Sequence, residues 1–187
     1  TNVSAIVIGV APAAQVYALD VFRTDGYAYY SDILTALNWV MANHGAYNIV
    51  AVNMSLGSGG YTAPCPQDGL ASAISGLKTA GVATVVASGN GALSSAISSP
   101  ACDPDSISVG AVYDANYGGM GWGICTDTVT AADQVACFSN SASFLTLLAP
   151  GSVITAAGIS MSGTSQATPH VSGSVAVLKS QNSALIV

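Results

Sequence analysis

The chain has 187 residues, of which 51% are hydrophobic and 6% are charged, with a formal net charge of -6 at pH 7. This length suits one domain with a sizeable core, and the apolar composition excludes the polar, highly charged class of disordered chains. The basic residues are Arg23, Lys78 and Lys179, too few to bind nucleic acid or an anionic membrane surface, which require clustered Lys or Arg.

The first half of the chain shows two strand patterns separated by a helix pattern. Residues 16–22 are β-branched and aromatic enough to predict a strand. Ser31 is a suitable N-cap for a helix that runs to about Asn43, with a wide apolar stripe and Gly45 as its stop. Residues 49–54 are almost continuously apolar, which is typical of a strand buried on both faces.

The second half continues this alternation. The spacing of apolar residues predicts a helix over 68–80, followed by apolar strands over 82–87 and 107–112. Residues 145–148 are predicted to form a short strand, and 163–180 to form the last helix. Strands that alternate with helices indicate crossover units, and therefore an α/β domain with a mainly parallel sheet. The chain shows no internal repeat and no linker, so we predict one domain over 1–187.

The four cysteines, Cys65, Cys102, Cys125 and Cys137, allow three complete pairings. None lies in a CxxC pair or at metal-ligand spacing from a histidine, so we expect no zinc site. Cys125 and Cys137 flank a short polar loop, and their pairing would leave Cys65 for Cys102. These candidate disulfides, Cys65–Cys102 and Cys125–Cys137, favour an oxidising compartment. Reduced thiols packed as small apolar groups are the alternative.

The run Gly163-Thr-Ser-Gln-Ala-Thr-Pro-His170 places Ser165 where a loop enters the last helix. A serine hydroxyl is a weak nucleophile until a base removes its proton and hydrogen-bond donors stabilise the oxyanion formed by attack. A helix start offers such donors, because its first N–H groups have no partner in the helix. A serine there is by itself most often a cap. The whole run, however, closely resembles the nucleophile motif of the subtilisin-like serine proteases, the subtilases.

Four further segments resemble the subtilase pattern in the same order along the chain. Residues 9–12 (GVAP) resemble the segment after the family's histidine helix, and 53–57 (NMSLG) resemble the strand end that binds extended substrate. Residues 87–90 (ASGN) resemble the loop of the oxyanion-hole asparagine, and 138–151, from FSN to APG, resembles the approach to the serine. The resemblance implies a three-layer fold, with a mainly parallel sheet and helices on both faces, incomplete here at both ends.

The resemblance also implies roles for individual residues. Ser165 would be the nucleophile that forms an acyl-enzyme, and the Asn90 side-chain amide and the Ser165 N–H would hold the oxyanion. Substrate would lie as an added strand held by main-chain hydrogen bonds, which favours extended polypeptides. The implied substrate-binding residues are Gly26, Tyr27, Ala28, Ser55, Leu56 and Gly57 for the added strand, Ala87, Ser88 and Gly89 for a pocket wall, and Tyr30 for a further pocket.

The aspartate and histidine that activate the serine in subtilases would precede the segment at Gly9, and so would lie before Thr1. His170 belongs to the serine motif, where the family uses it structurally, and His44 lies at a predicted helix end, where a cation is favoured. Residues 1–187 are therefore expected to be a partial catalytic domain of a serine endopeptidase, inactive alone. A catalytically dead relative that acts as a binding or structural module is the alternative. An α/β-hydrolase is excluded, because the chain has no G-x-S-x-G elbow.

The chemistry implied by the resemblance needs no cofactor. The resemblance also raises structural calcium, and the Pro104 and Ser106 carbonyls lie at the position of one such site. Thr146 stands where that site has a carboxylate, so this segment does not support it. The expected partners are a polypeptide substrate, the missing N-terminal part of the catalytic domain, and a propeptide or protein inhibitor. Uncharged stretches such as 79–102 are interrupted by Gly, Ser, Asn and Pro, so no membrane span is predicted. We expect a secreted or extracellular protein.

Overall fold

The structure, a computed structural model, describes residues 1–65 and 69–185. Its helices are α1 (Asn2–Val10), α2 (Tyr30–Tyr47), α3 (Ala71–Thr79) and α4 (Thr164–Gln181). Its strands are β1 (Ala51–Met54), β2 (Ser58–Tyr61), β3 (Ala83–Ala87), β4 (Ile97–Ser99), β5 (Ile107–Val112), β6 (Met120–Gly121), β7 (Thr126–Asp127), β8 (Leu147–Pro150), β9 (Ile154–Ala156) and β10 (Ile159–Met161). Within the described ranges, no helix combines the length and the apolar character needed to cross a membrane.

Four strands form a parallel sheet in the order β1, β3, β5, β8. They correspond to the four apolar strands predicted after residue 48, the last of them displaced by two residues toward the C-terminus. Parallel strands have their carboxyl ends at one edge of the sheet, so the loops that follow β1, β3 and β5 all begin at that edge. The predicted α/β class with a mainly parallel sheet is confirmed.

Helices cover both faces of this sheet. Successive side chains of a strand point to opposite faces, so neighbouring residues of a buried strand contact different helices. In β3, Val86 belongs to a buried cluster with Leu37 of α2 and Ile74 of α3. Its neighbour Val85 belongs to a second cluster, which contains Ala167 of α4. Burial of each valine, leucine or isoleucine side chain in these clusters contributes about 1.5–3 kcal/mol to the free energy of folding. The predicted three-layer arrangement is therefore present.

Helix α1 packs on α4 and is not among the predicted elements. The sequence of α1 is apolar on nearly every side, so no helical period distinguishes it from a buried strand. A Cβ atom on Gly173 of α4 would lie 2.8 Å from the Val10 Cβ and 3.1 Å from the Val7 carbonyl oxygen. Glycine therefore allows the two helices to approach. Asn2, which is buried, also anchors α1 by donating its side-chain N–H to the Ile159 carbonyl at 2.8 Å.

The strand predicted over 16–22 is wrong. Its last residue, Phe22, makes an isolated antiparallel bridge to Ala28, and the segment pairs with none of the described strands. Strand propensity is realised mainly through cross-strand packing, and here Val16 and Leu19 remain 43% and 39% exposed. A groove of about 1660 Å³ is lined by this segment and by the edge strand β1.

Both candidate disulfides are present. Cys65 and Cys102 are buried, with Cα atoms 5.2 Å apart, and the Cys65 N–H donates to the Cys102 carbonyl at 2.9 Å. The Cα atoms of Cys125 and Cys137 are 6.1 Å apart. The predicted start of the third helical segment, Asp68, lies outside the described residues.

The excursion that follows β5, residues 113–137, is organised around a buried tyrosine. The Tyr113 hydroxyl donates to the Asp127 carboxylate at 2.7 Å and accepts a hydrogen bond from Trp122 Nε1 at 2.9 Å. Burial, followed by the hydrogen bond to Asp127, raises the pKa of Tyr113 to about 12. The Cys137 N–H donates to the same carboxylate at 3.0 Å, so the disulfide and this network together close the excursion.

Candidate active site

Ser165 is the second residue of α4, and its side chain is half-buried. Its hydroxyl donates to the Ser55 carbonyl at 3.3 Å, and the Ser55 hydroxyl donates to the Ser165 carbonyl at 2.8 Å. That carbonyl lacks its helical partner because Pro169, four residues later, has no N–H. Pro169 is the sixth residue of the helix. The reciprocal bonds join the start of α4 to the end of β1.

Asn90 lies in the loop that follows β3, and its side chain is held by the first residue of α4. Thr164 donates its N–H and its hydroxyl to Asn90 Oδ1, at 2.8 Å and 2.9 Å. Because Oδ1 accepts both bonds, Nδ2 remains as the donor of this amide. The Ser165 N–H lies in the first turn of α4 and has no partner within the helix. These two N–H donors could hold an oxyanion next to the Ser165 hydroxyl.

Ser165 and Asn90 line the same cleft, which has a volume of about 400 Å³. None of the described residues that line it carries a formal charge, so the cleft itself is neutral. Ser88 lies behind the cleft wall, because its side chain is fully buried and its hydroxyl donates to the Asn140 carbonyl at 2.9 Å. The predicted substrate-binding residues in the lining are Ser55, Leu56, Gly57, Ala87 and Gly89.

Comparison with known proteins identifies the family of the chain. The family model of the subtilases (Peptidase S8) matches residues 1–186. The chain belongs to the subtilase family.

Named relatives of the subtilase chain are proteases. It is 36% identical over 186 residues to subtilisin BL of Lederbergia lenta, covering 97% of this chain and 59% of that protein. It is 35% identical over 176 residues to the extracellular serine proteinase of Thermus sp. (strain Rt41A), covering 90% and 37%. The crystal structure of a cold adapted subtilisin-like serine proteinase matches with a TM-score of 0.78 at 31% identity, covering 100% of this chain and 62% of that one. The subtilase chain thus spans less than two thirds of each.

The second substrate-binding segment predicted for this subtilase, Gly26, Tyr27 and Ala28, lies beside the cleft lining rather than in it. Ala28 forms an isolated antiparallel bridge with Phe22, and Phe22 lines the cleft. Tyr27 is 69% exposed, in a position open to solvent. The Tyr30 hydroxyl lies 3.3 Å from Ser99 Oγ, and Tyr30 also stands outside the described cleft lining.

An ion pair between Arg23 and Asp32 flanks residues 26–28. Arg23 Nε donates to the Asp32 carboxylate at 2.6 Å, and the Arg23 guanidinium lies 4.5 Å from the centre of the Tyr29 ring. The hydrogen bond from Arg23 lowers the pKa of the Asp32 carboxyl. The pair is exposed and therefore of small worth for stability. The turn that carries residues 26–28 is closed by backbone bonds, from the Arg23 N–H to the Tyr27 carbonyl and from the Gly26 N–H to the Arg23 carbonyl.

Neither histidine of the subtilase chain lies in the cleft lining. His170 Nδ1 is 2.9 Å from the Gln166 carbonyl, and His44 Nδ1 is 2.8 Å from the Met41 carbonyl. A carbonyl only accepts, so Nδ1 carries the proton in both rings. Each imidazole is thus bonded to its own helix, and His170 has the structural environment that the motif implies.

At the calcium position implied by the resemblance, the Thr146 side chain is hydrogen-bonded to a neighbouring strand. Thr146 Oγ1 is engaged with Ser108, accepting its N–H at 3.2 Å and lying 3.1 Å from its hydroxyl. Threonine brings no charge to this position, whereas calcium prefers carboxylate oxygens. Across 1–65 and 69–185, no group of three or more His, Cys, Asp or Glu residues is placed to hold a metal ion.

Two residues of the site were not singled out from the sequence. Thr164 orients Asn90, as described above, and its Oγ1 also accepts the Gly89 N–H at 3.2 Å. Asn140 accepts hydrogen bonds from the Gly91 and Leu93 N–H groups of the loop that carries Asn90. Thr164 precedes the nucleophile directly, which is a local signal. Asn140 lies 50 residues from Asn90 along the chain, so no local pattern connects them.

Proposed function

We propose that residues 1–187 are part of a longer serine endopeptidase that uses Ser165 as its nucleophile. The observation that carries this proposal is the position of Asn90, whose Oδ1 is held by Thr164 and which lines the same cleft as Ser165. A preformed pair of N–H donors beside a serine hydroxyl suits acyl transfer, because an oxyanion develops at that point. Membership of the subtilase family supports the same chemistry.

In the proposed reaction, Ser165 Oγ attacks the carbonyl carbon of the scissile peptide bond and gives its proton to a general base. The carbonyl oxygen becomes an oxyanion, which Asn90 Nδ2 and the Ser165 N–H stabilise. The intermediate then expels the amine, which takes up the proton, and leaves an ester on Ser165. Water repeats the sequence and releases the acid. In a subtilisin, removal of the corresponding asparagine costs about 10²–10³ in kcat.

We place the general base and its carboxylate partner on a segment outside residues 1–187. In support, the described cleft lining contains no histidine, aspartate or glutamate. The exposed edge of β1 and the 16–22 segment flank a groove of about 1660 Å³, where an extended, apolar strand could pair with β1. Loss of the activating residues costs a subtilisin about 10⁶ in kcat, so the present chain is expected to be inactive alone.

The proposed substrate is an extended polypeptide, held by the backbone of Ser55, Leu56 and Gly57 on one side and of residues 26–28 on the other. Backbone pairing requires an unfolded stretch, so denatured proteins should be cleaved faster than compact ones. Ala87 and Gly89 would line the main side-chain pocket, and Tyr30 would border a further one. The two disulfides support a secreted protein, and a propeptide or protein inhibitor would occupy the same cleft.

A fluorophosphonate probe tests the proposal, because it esterifies an activated serine. We expect no labelling of the 187-residue chain, and stoichiometric labelling of Ser165 in the longer protein. Ser165→Ala should abolish labelling, whereas Ser174→Ala, on the exposed side of α4, should leave it unchanged. A longer protein that contains the upstream segment but stays unlabelled would contradict the proposal and favour the binding-module alternative. Labelling of the short chain would show that the base lies within it.

A further inference from the structure

We propose that Asn140 is a positioning residue, which holds the loop of Asn90 in the geometry needed for an oxyanion hole. The inference rests on the proposed function, since it concerns the same reaction centre. Asn140 is 2% exposed and is one of the residues that line the cleft. Its side chain contacts the loop on both sides of Asn90, whereas Asn90 itself is exposed and is tied down by Thr164.

The side-chain oxygen of Asn140 holds the loop after Asn90. Its Oδ1 accepts the Gly91 N–H at 2.8 Å and the Leu93 N–H at 3.1 Å. These two N–H groups belong to a turn with no regular secondary structure, so strand or helix pairing does not satisfy them. One buried side-chain oxygen thus fixes the peptide that follows Asn90.

The Asn140 amide nitrogen holds the loop before Asn90. Its Nδ2 donates to the Ser88 carbonyl at 3.2 Å and lies 3.4 Å from Ser98 Oγ. The main chain adds two bonds, since the Asn140 N–H donates to the Gly89 carbonyl at 2.9 Å and the Asn140 carbonyl accepts the Ser88 hydroxyl at 2.9 Å. Donor and acceptor demands fix the orientation of the amide, because a flip would set Nδ2 against the N–H groups of the turn.

The packing around Asn140 leaves no room for adjustment. A Cβ atom on Gly89 would lie 2.3 Å from both Asn140 Nδ2 and Ser98 Oγ. Gly89 also has φ of 105°, which glycine adopts without strain. The Asn140 amide is therefore in close contact with the backbone directly before Asn90. Oxyanion donors must lie about 2.7–3.1 Å from their target, so small shifts of this loop would weaken catalysis.

Amide hydrogen exchange on the 187-residue protein gives a test that needs no activity. Asn140→Ala should accelerate exchange of the Gly91 and Leu93 amides by about tenfold or more, because their acceptor is lost. Asn116→Ala is the matched control, since Asn116 Oδ1 accepts the Gly118 N–H at 2.8 Å in an exposed turn. Unchanged exchange at 91 and 93, or an equal acceleration across all described amides, would overturn the proposal.

A double-mutant cycle in the longer enzyme tests whether Asn140 acts through Asn90. Asn140→Ala should lower kcat by roughly 10–100-fold, a fraction of the effect of losing the oxyanion donor, with KM changed far less. In an Asn90→Ala background the same substitution should leave kcat nearly unchanged, because the group it positions is absent. Equal losses of kcat in both backgrounds would refute the positioning role.

Asn140→Asp covers the case in which the alanine variant fails to fold. It keeps the acceptor for the Gly91 and Leu93 N–H groups and removes the donor to Ser88, so we expect a kcat loss with protected amides. Wild-type kcat in this variant would contradict the proposal. If Asn90→Ala itself left kcat unchanged, the proposed oxyanion hole would be wrong, and the exchange result would still report on the Asn140 bonds.

Discussion

Replacement of Gly173 by alanine tests whether the contact between α1 and α4 depends on a missing side chain. In an isolated helix, alanine is favoured over glycine by about 1 kcal/mol. At Gly173, however, the new Cβ atom would lie 2.8 Å from the Val10 Cβ and 3.1 Å from the Val7 carbonyl oxygen. Overpacking of this kind costs about 1–3 kcal/mol. The gain in helix propensity and the cost of overpacking oppose each other. The contact with the Val7 carbonyl involves backbone, which cannot move easily, so we expect a net loss of stability.

Gly45→Ala isolates the packing cost. Gly45 lies in α2, and a Cβ atom there would meet nothing within 4 Å, so this variant retains only the gain in helix propensity. The free energies of unfolding of the two variants should therefore differ by about 1–3 kcal/mol, with Gly173→Ala the less stable. For a chain of this size the difference corresponds to about 2–12 °C in Tm.

Urea unfolding followed by circular dichroism measures both variants against the wild-type protein. We expect Gly45→Ala to unfold at slightly higher urea concentration and Gly173→Ala at lower. If Gly173→Ala stabilised the protein as much as Gly45→Ala does, the close approach of α1 to α4 would be wrong. The parallel sheet would be unaffected by that outcome, but the packing of α1 described above would not hold.

Three further outcomes are expected. The folded-state pKa of Tyr113 is raised from 10.0 to about 12. The stability that follows from this shift is therefore complete below pH 10 and is lost between about pH 10 and 12. Urea unfolding across this range should show the decline in stability, and the decline should be smaller in Tyr113→Phe. Ser55→Ala leaves the carbonyl at the start of α4 without its hydroxyl partner and should cost about 1–3 kcal/mol by thermal unfolding, whereas Ser174→Ala should change stability by less than about 0.5 kcal/mol. Replacement of Cys125 and Cys137 by serine opens a loop with a sequence separation of 12 and should cost about 3 kcal/mol in calorimetry; an unchanged Tm would contradict the loop-entropy argument.

Elements with both a clear period and a local stop signal were predictable from the sequence. The four strands of the sheet and the helix of Ser165 follow this rule, because burial on both faces leaves a continuous apolar run. The segment 16–22 has the same composition, but it pairs with none of the strands in the described part of the chain. Pairing is a long-range property, so strand propensity alone cannot supply it.

The candidate site shows the same division. Ser165 and Asn90 lie in motifs that are recognisable locally, and the structure brings both to one cleft. Segment 26–28 was assigned to the substrate site by resemblance, and its direct role stays a prediction. Asn140 and Thr164 act through hydrogen bonds to residues 49 and 74 positions away. Such bonds depend on how the loops pack together, which no spacing rule reveals.

The carbonyl of Ser165 offers a spectroscopic consequence. Because Pro169 leaves it without a peptide partner, this carbonyl is bonded to the Ser55 hydroxyl at 2.8 Å, unlike the carbonyls of a regular helical ladder. An isotope-edited infrared band from a ¹³C=¹⁸O label at this position should therefore stand apart from the bulk helical amide band. Any molecule that enters the cleft and disturbs Ser55 would shift that band, so the infrared frequency of this carbonyl would report binding in the cleft.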